Sequence, residues 1–342
     1  MEAIRELIKA EEAKAELPLS PSATQVRKEQ ICDIEGILSG KDDRLLLIVG
    51  PCSADRKEPV MEYVTRLAQL QAAVQDRIVL IPRIYIEKPR TRGTGYKGMV
   101  EFPDPLGEHD INKGLMAGRD LLRQVLESGG FAPATELVYI DHYPYFDDLM
   151  AYLTIGARSV ENPTLRMLAS GLPLPVGLKN PTSGDLSVAF ASLLSVQISQ
   201  RFPYLGKEWV SRGNPYAHLI LRGYQDHRGD LHPNYGLEDL EEVRALYRET
   251  GARNPAVLVD ANHANSQKDY EKQVEVVREV MDLRDRFPWI RKLVKGFMVE
   301  SYLLDGAQDE KGQQPGQSIT DPCLGWEKSR ALIEELYERG RK

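Results

Sequence analysis

Eight short apolar runs, each closing on a Cys, His, Glu, Arg or Lys, constrain the fold of this 342-residue chain more than any other feature. They are LLLIVGPC ending at Cys52, IVLIPR at Arg83, FAPATE at Glu136 and YLTIGAR at Arg158. LPVGLK at Lys179, HLILR at Arg222, AVLVDANH at His263 and VKGFMVE at Glu300 complete the series. Runs of Val, Ile and Leu with little alternation suit strands buried on both faces, as in a parallel sheet. Helical spacing fills most intervals, so the pattern is βα repeated about eight times. The expected fold is α/β, a (β/α)8 TIM barrel over residues 45–342. Such a barrel gathers the carboxyl ends of its strands at one mouth, where barrel enzymes keep their active sites. The chain reads as an enzyme.

Strands are expected near 45–50, 78–84, 131–136, 150–156, 174–179, 217–222, 256–260 and 294–299. Helices are expected near 58–75, 111–128, 163–170, 185–200, 237–250 and 267–286, with EKSRALIEELYERGRK as a last amphipathic helix. Residues 1–44 form an N-terminal helical extension. Val26, Ile31, Ile34, Ile37 and Leu38 stand there at helical spacing before Gly40, and the stripe must be buried somewhere. A second subunit is favoured over the barrel's own flank, which makes the extension an oligomer contact. Two long connections, 87–110 and 302–320, are rich in Gly, Pro and charge and follow strands, so both should overhang the active mouth.

Composition narrows the partners. A net charge of −7 without a long basic run disfavours nucleic acid. No apolar stretch approaches membrane-spanning length, and the first twenty residues lack the apolar core of a signal peptide. Three cysteines are too few and odd in number for a secreted disulfide framework. A cytoplasmic protein is expected.

Cys52, His263, Glu300 and Asp321 are the candidate ligands of one divalent metal. Each alone has an ordinary explanation: a packed thiol, a hydrogen-bonded imidazole, a solvated Glu, or an Asp capping the helix near Trp326. Together they form a mixed sulfur, nitrogen and oxygen set that accepts Mn, Fe, Co or Zn. Arg83, Lys88, Arg158, Lys179 and Arg222 end strands or open the loops after them. Five cations at one mouth would repel each other unless anions arrive, and acids do not look similarly concentrated at those strand ends. Arg offers planar bidentate contacts and Lys a point charge, which suits phosphate and carboxylate.

With these motifs in hand, the chain resembles the metal-dependent type I family of 3-deoxy-D-arabino-heptulosonate 7-phosphate (DAHP) synthases over nearly its whole length. The resemblance rests on GPCS (50–53), PRIYIEKPRT (82–91), GYKG (95–98), IGAR (155–158) and ASGLPLPVGLKN (169–180). ILRG (220–223), DANHANS (260–266), MVES (298–301) and SITDPCLGWE (318–327) continue it in the family's order. It implies a barrel that condenses phosphoenolpyruvate with erythrose 4-phosphate and releases phosphate, at the head of the shikimate pathway. A homodimer or homotetramer is expected. Cys52, His263, Glu300 and Asp321 match the family's metal ligands. Arg83, Lys88, Arg158, Lys179 and Arg222 match the phosphoenolpyruvate site, with Glu136 beside its reacting end. Pro89, Arg90 and Thr91 match the erythrose 4-phosphate site. Lys88 is the candidate proton donor, its pKa expected to be lowered by neighbouring cations; a water relayed through Glu136 or His263 is the alternative. The segment YIDHYP (139–144) and Pro173 depart from feedback-regulated members, so the response to aromatic amino acids should differ.

The nearest rival is a sibling that adds phosphoenolpyruvate to arabinose 5-phosphate or N-acetylmannosamine, and KPRT argues against it. A barrel without activity would need a lost ligand or cation, and none is missing. The 44 N-terminal residues are too few for a fused chorismate mutase.

Overall fold

The computed structural model describes residues 1–90 and 93–340. Its centre is a parallel sheet of eight strands: β1 Leu45–Gly50, β2 Ile78–Pro82, β3 Ala134–Glu136, β4 Tyr152–Ile155, β5 Val176–Lys179, β6 His218–Leu221, β7 Val257–Asp260 and β8 Val294–Glu300. They run in the order β2-β1-β8-β7-β6-β5-β4-β3. A parallel bridge between Arg83 and Ala134 joins the two ends, and the Ile84 amide donates to the Ala134 carbonyl at 2.8 Å. The expected (β/α)8 barrel is the observed fold. β1, β2, β4, β5, β6 and β7 are buried at every residue, which is why their sequences do not alternate.

The helices are α1 Ala10–Glu16, α2 Pro21–Ser39, α3 Lys57–Val74, α4 Ile111–Gly129, α5 Tyr143–Phe146, α6 Pro163–Gly171, α7 Leu186–Gln197, α8 Leu237–Thr250, α9 Gln273–Arg286, α10 Pro288–Leu293 and α11 Trp326–Arg339. The repeat is thinnest between β3 and β4, where the four-residue α5 is the only helix. Two hairpins, Arg201–Tyr204 with Lys207–Val210 and Tyr224–Gln225 with Leu231–His232, decorate the barrel. Among the described residues, no helix is long and apolar enough to cross a membrane.

α2 is a closed helical unit. Ser20 caps its start by accepting from the Ala23 amide at 3.1 Å, Pro21 opens it, and Gly40 ends it at φ +75°. Its stripe turns inward. Ile34, Ile37 and Leu38 are buried in the same core as β1 and β2. Gln30 donates to the Leu80 carbonyl and accepts from the Ala132 amide, while Arg27 donates to the Met150 and Asp147 carbonyls. Ala132 and Met150 precede β3 and β4, so α2 lies across the amino-terminal end of the barrel. The burial that the sequence reading assigned first to a second subunit is met within the chain.

Candidate active site at the carboxyl ends of the strands

Cys52 follows β1, Glu300 ends β8, and Asp321 lies in the segment after it. One ligand-capable atom from each falls within 4.8 Å of the other two. The Cys52 thiol donates to Asp321 Oδ2 at 3.4 Å, and Lys88 Nζ donates to Cys52 Sγ at 2.9 Å. Burial, then the charge of Glu300, pushes the Cys52 thiol up to about 11. Both carboxylates move the other way. Burial would raise Glu300, but Arg83, His263 and Lys88 together bring it down. At Asp321 it is Lys88 and then His263 that oppose burial.

His263, the fourth expected ligand, is not one of that three-residue cluster. It follows β7 at φ +57°, and its Nδ1 lies 3.0 Å from Asp260 Oδ2. Burial lowers its pKa despite that carboxylate, which favours a neutral ring with Nε2 free to ligate. A carboxylate behind a histidine is the usual support of a ligating imidazole. The donor set therefore fits a divalent cation.

The five cations divide into two kinds. Arg83 is fully buried and donates to Glu300 Oε1 at 2.8 Å, to the Cys52 carbonyl at 2.9 Å and to the Pro51 carbonyl. Its guanidinium also stacks 3.7 Å from the centre of the Tyr85 ring. Lys179 Nζ donates to buried Asp260 at 2.7 Å. Two of the five cations thus have acid partners, Glu300 and Asp260, at the ends of other strands. A fully desolvated cation needs such a partner. Arg158 is exposed and Arg222 half-buried, and neither side chain pairs with the described residues. Burial lowers the Arg222 pKa, Asp260 opposes this, and Arg158 adds to the lowering. These two are the cations free for an anion.

Lys88 corrects another expectation. Burial and Arg83 do lower its pKa, but Cys52, Glu300 and Asp321 outweigh them and the net movement is upward. It remains an ammonium. Glu136 ends β3 with its carboxylate against Gly156, where an added Cβ would stand 2.1 Å from Oε1 and displace the carboxylate. Pro89 and Arg90 follow Lys88, and Arg90 Nε donates to the Tyr96 carbonyl at 2.8 Å. Thr91 lies outside the described residues.

Described parts of both loops touch the segment after β1: Tyr96 Oη donates to the Ala54 carbonyl at 3.3 Å, and the Ser53 and Thr320 hydroxyls meet at 2.9 Å. Sequence reasoning missed a supporting layer. Asn262 Nδ2 donates to Glu300 Oε2 at 2.6 Å, and Gln273 accepts from the Glu300 amide at 2.8 Å. His142 Nδ1 meets buried Glu87 at 2.5 Å beside Lys88. Asp260 could have been found, since it closes the apolar run AVLVD. Gln273 and His142 carry no sequence signal of that kind.

A parallel barrel with a ligand cluster and unpaired cations at its carboxyl-end mouth defines a barrel enzyme for anionic substrates. Residues 18–334 match the DAHP synthetase I family, and the chain belongs to it. It is 39% identical over 329 residues to phospho-2-dehydro-3-deoxyheptonate aldolase of Haemophilus influenzae, covering 94% of this chain and 88% of that one. It is 36% identical over 342 residues to the Trp-sensitive enzyme of that name from Escherichia coli, covering 97% and 94%. The solved structure of the Francisella tularensis aldolase superposes with a TM-score of 0.92 at 33% identity, covering 100% of this chain and 98% of that one.

Proposed function

We propose that this chain condenses phosphoenolpyruvate with D-erythrose 4-phosphate and water, giving 3-deoxy-D-arabino-heptulosonate 7-phosphate and phosphate, the first step of the shikimate pathway. One observation carries the reading: Cys52, Glu300 and Asp321 converge at the same mouth as the unpaired Arg158 and Arg222. That pairing suits a phosphorylated acid meeting an aldehyde.

Cys52, His263, Glu300 and Asp321 would hold one divalent ion, Mn, Fe, Co or Zn. When bound, it supplies Lewis-acid polarisation of the aldehyde oxygen. Arg158 and Arg222 bind the carboxylate and phosphate of phosphoenolpyruvate, and Lys179, held by Asp260, adds a fixed point charge. Arg83 completes that wall while holding Glu300 in place. Lys88 Nζ gives a proton to the oxygen that becomes the new hydroxyl. Glu136 orients the water that adds at C2, and Pro89, Arg90 and Thr91 bind the sugar phosphate. The working protein is a homodimer or homotetramer in the cytoplasm. Exposed Ile198, Leu205, Trp209 and Val210 on and beside the first hairpin support an assembly, and three unpaired cysteines support a reducing compartment.

The test is phosphate release from phosphoenolpyruvate with erythrose 4-phosphate, run with Mn²⁺ and with a chelator, and arabinose 5-phosphate in parallel. Metal-dependent release with the four-carbon sugar alone is expected. Release with only the five-carbon sugar would move the assignment to the sibling reaction.

A further inference from the structure

The amino-terminal end of the barrel carries a second charged feature, remote from the site above. The C-terminal end of α2, the second half of α8, α10 and the start of β8 line an open concavity of about 860 Å³, a volume in the range of small-molecule sites. Arg244, Arg248, Arg291, Lys292 and Lys295 line it, with Asp43 as its only acid. Among the described residues, none of these five cations has an ion pair or a side-chain hydrogen bond. In the neighbouring cavity Arg44 pairs with Asp42 at 2.6 Å and Arg339 with Asp285 at 2.7 Å. The neighbouring cavity, lined by Asp42, Asp76, Asp285 and Glu335 as well as by arginines, is balanced in charge.

Arg244 and Lys295 are partly buried in the wall, while Arg248, Arg291 and Lys292 are exposed at its rim. Arg244 lies over Trp289, its guanidinium carbon 4.6 Å from the ring centre, which fixes the fork without neutralising it. Lys295 is half-buried, its Nζ 3.5 Å from where a Cβ on Gly40 would stand. Leu38, Leu293 and Pro288 supply apolar wall. Like charges held around one concavity in a chain of net charge −7 raise each other's energy until an anion enters. Three arginines favour planar oxyanions with several acceptor atoms.

We propose that this cavity binds a small polyanion, of phosphate or carboxylate chemistry, at the end of the barrel opposite the catalytic mouth. Lys295 and Glu300 bracket β8, five residues apart, which places the two sites about 16 Å from each other along the strand.

Tripolyphosphate and citrate serve as the two probes in calorimetric titrations, and their ranking separates phosphate from carboxylate chemistry. Because the catalytic mouth also attracts anions, the reference protein is Arg158→Gln/Arg222→Gln. That protein should bind at least one probe with a dissociation constant of about 1 mM or tighter. Adding Arg244→Gln/Lys292→Gln/Lys295→Gln should weaken binding at least about tenfold. Should that protein fail to fold, the exposed pair Arg248→Gln/Lys292→Gln is expected to weaken binding in the same direction. In the otherwise native enzyme, that pair should leave turnover without polyanion unchanged. No binding to the reference protein, or equal affinity after the cavity substitutions, overturns the proposal.

Discussion

Asp260 has no exposed surface and stands between Lys179 Nζ at 2.7 Å and His263 Nδ1 at 3.0 Å. Burial alone would raise its pKa, yet His263 and Lys179 hold it well below the carboxylate range. One carboxylate thus holds both the Lys179 ammonium and the His263 imidazole in place. Asp260→Asn keeps the shape but leaves the Lys179 ammonium uncompensated and loosens His263. Metal affinity should fall about 10- to 100-fold, and kcat/KM by at least about 100-fold. Metal titration followed by steady-state kinetics measures both, and an unchanged metal affinity would refute the role. A second buried histidine acts on stability instead. His218 accepts or donates at Tyr152 Oη, 2.8 Å from Nε2, inside the barrel, and burial lowers its pKa to about 4. The unfolded chain takes up this proton near pH 6.5, so the stabilisation is complete above that pH and is lost as pH falls toward 4. The loss reaches about 3 kcal/mol. Urea midpoints at pH 7.5 and 4.5 should diverge more for the parent than for His218→Gln.

At the scale of elements, α2 shows what a sequence can and cannot say. The stripe of Ile31, Ile34, Ile37 and Leu38 was legible because helical periodicity is local, and so was its end at Gly40. Its partner was not, since burial against the barrel's amino end depends on contacts such as Gln30 with Leu80 and Ala132, far along the chain. Ile34 and Ile37 are each 0% exposed, so Ile34→Ala or Ile37→Ala should cost about 2–5 kcal/mol. Denaturant unfolding of dilute protein checks this. A loss seen only on raising protein concentration would return the stripe to an intersubunit role. The barrel strands were legible for the same local reason: continuous apolar runs of Val, Ile and Leu with punctuated ends. The single turn α5 was not, because Tyr143, Pro144 and Tyr145 carry no helical stripe. Site residues at strand ends were legible one by one, but their pairing was hidden. Arg83 meets Glu300 across 217 positions, and no local pattern encodes that.

At the scale of the whole molecule, the ligand cluster ties together segments that the chain separates widely. Cys52 comes from the end of the first barrel strand, Glu300 from the end of the last, and Asp321 from the loop beyond it. An unfolded chain cannot present these atoms within 4.8 Å of one another, so a metal that binds the cluster binds the folded state. Mass action then makes it a stabiliser: free metal at 100 times its dissociation constant adds about 2.7 kcal/mol. For a chain of this size that corresponds to a melting temperature higher by a few degrees. Chelation should therefore lower the melting temperature, and Mn²⁺ in excess should restore it. Cys52→Ser with Asp321→Asn removes a thiolate and a carboxylate from the cluster. Burial and the negative charge of Glu300 keep the Cys52 thiol protonated in the metal-free protein, so serine replaces one neutral hydrogen-bonding group with another. The double variant should melt near the chelated parent and show no response to added metal. Were it still to gain stability from Mn²⁺, the ion would be held elsewhere, and the assignment of these residues would fall while the barrel fold stood.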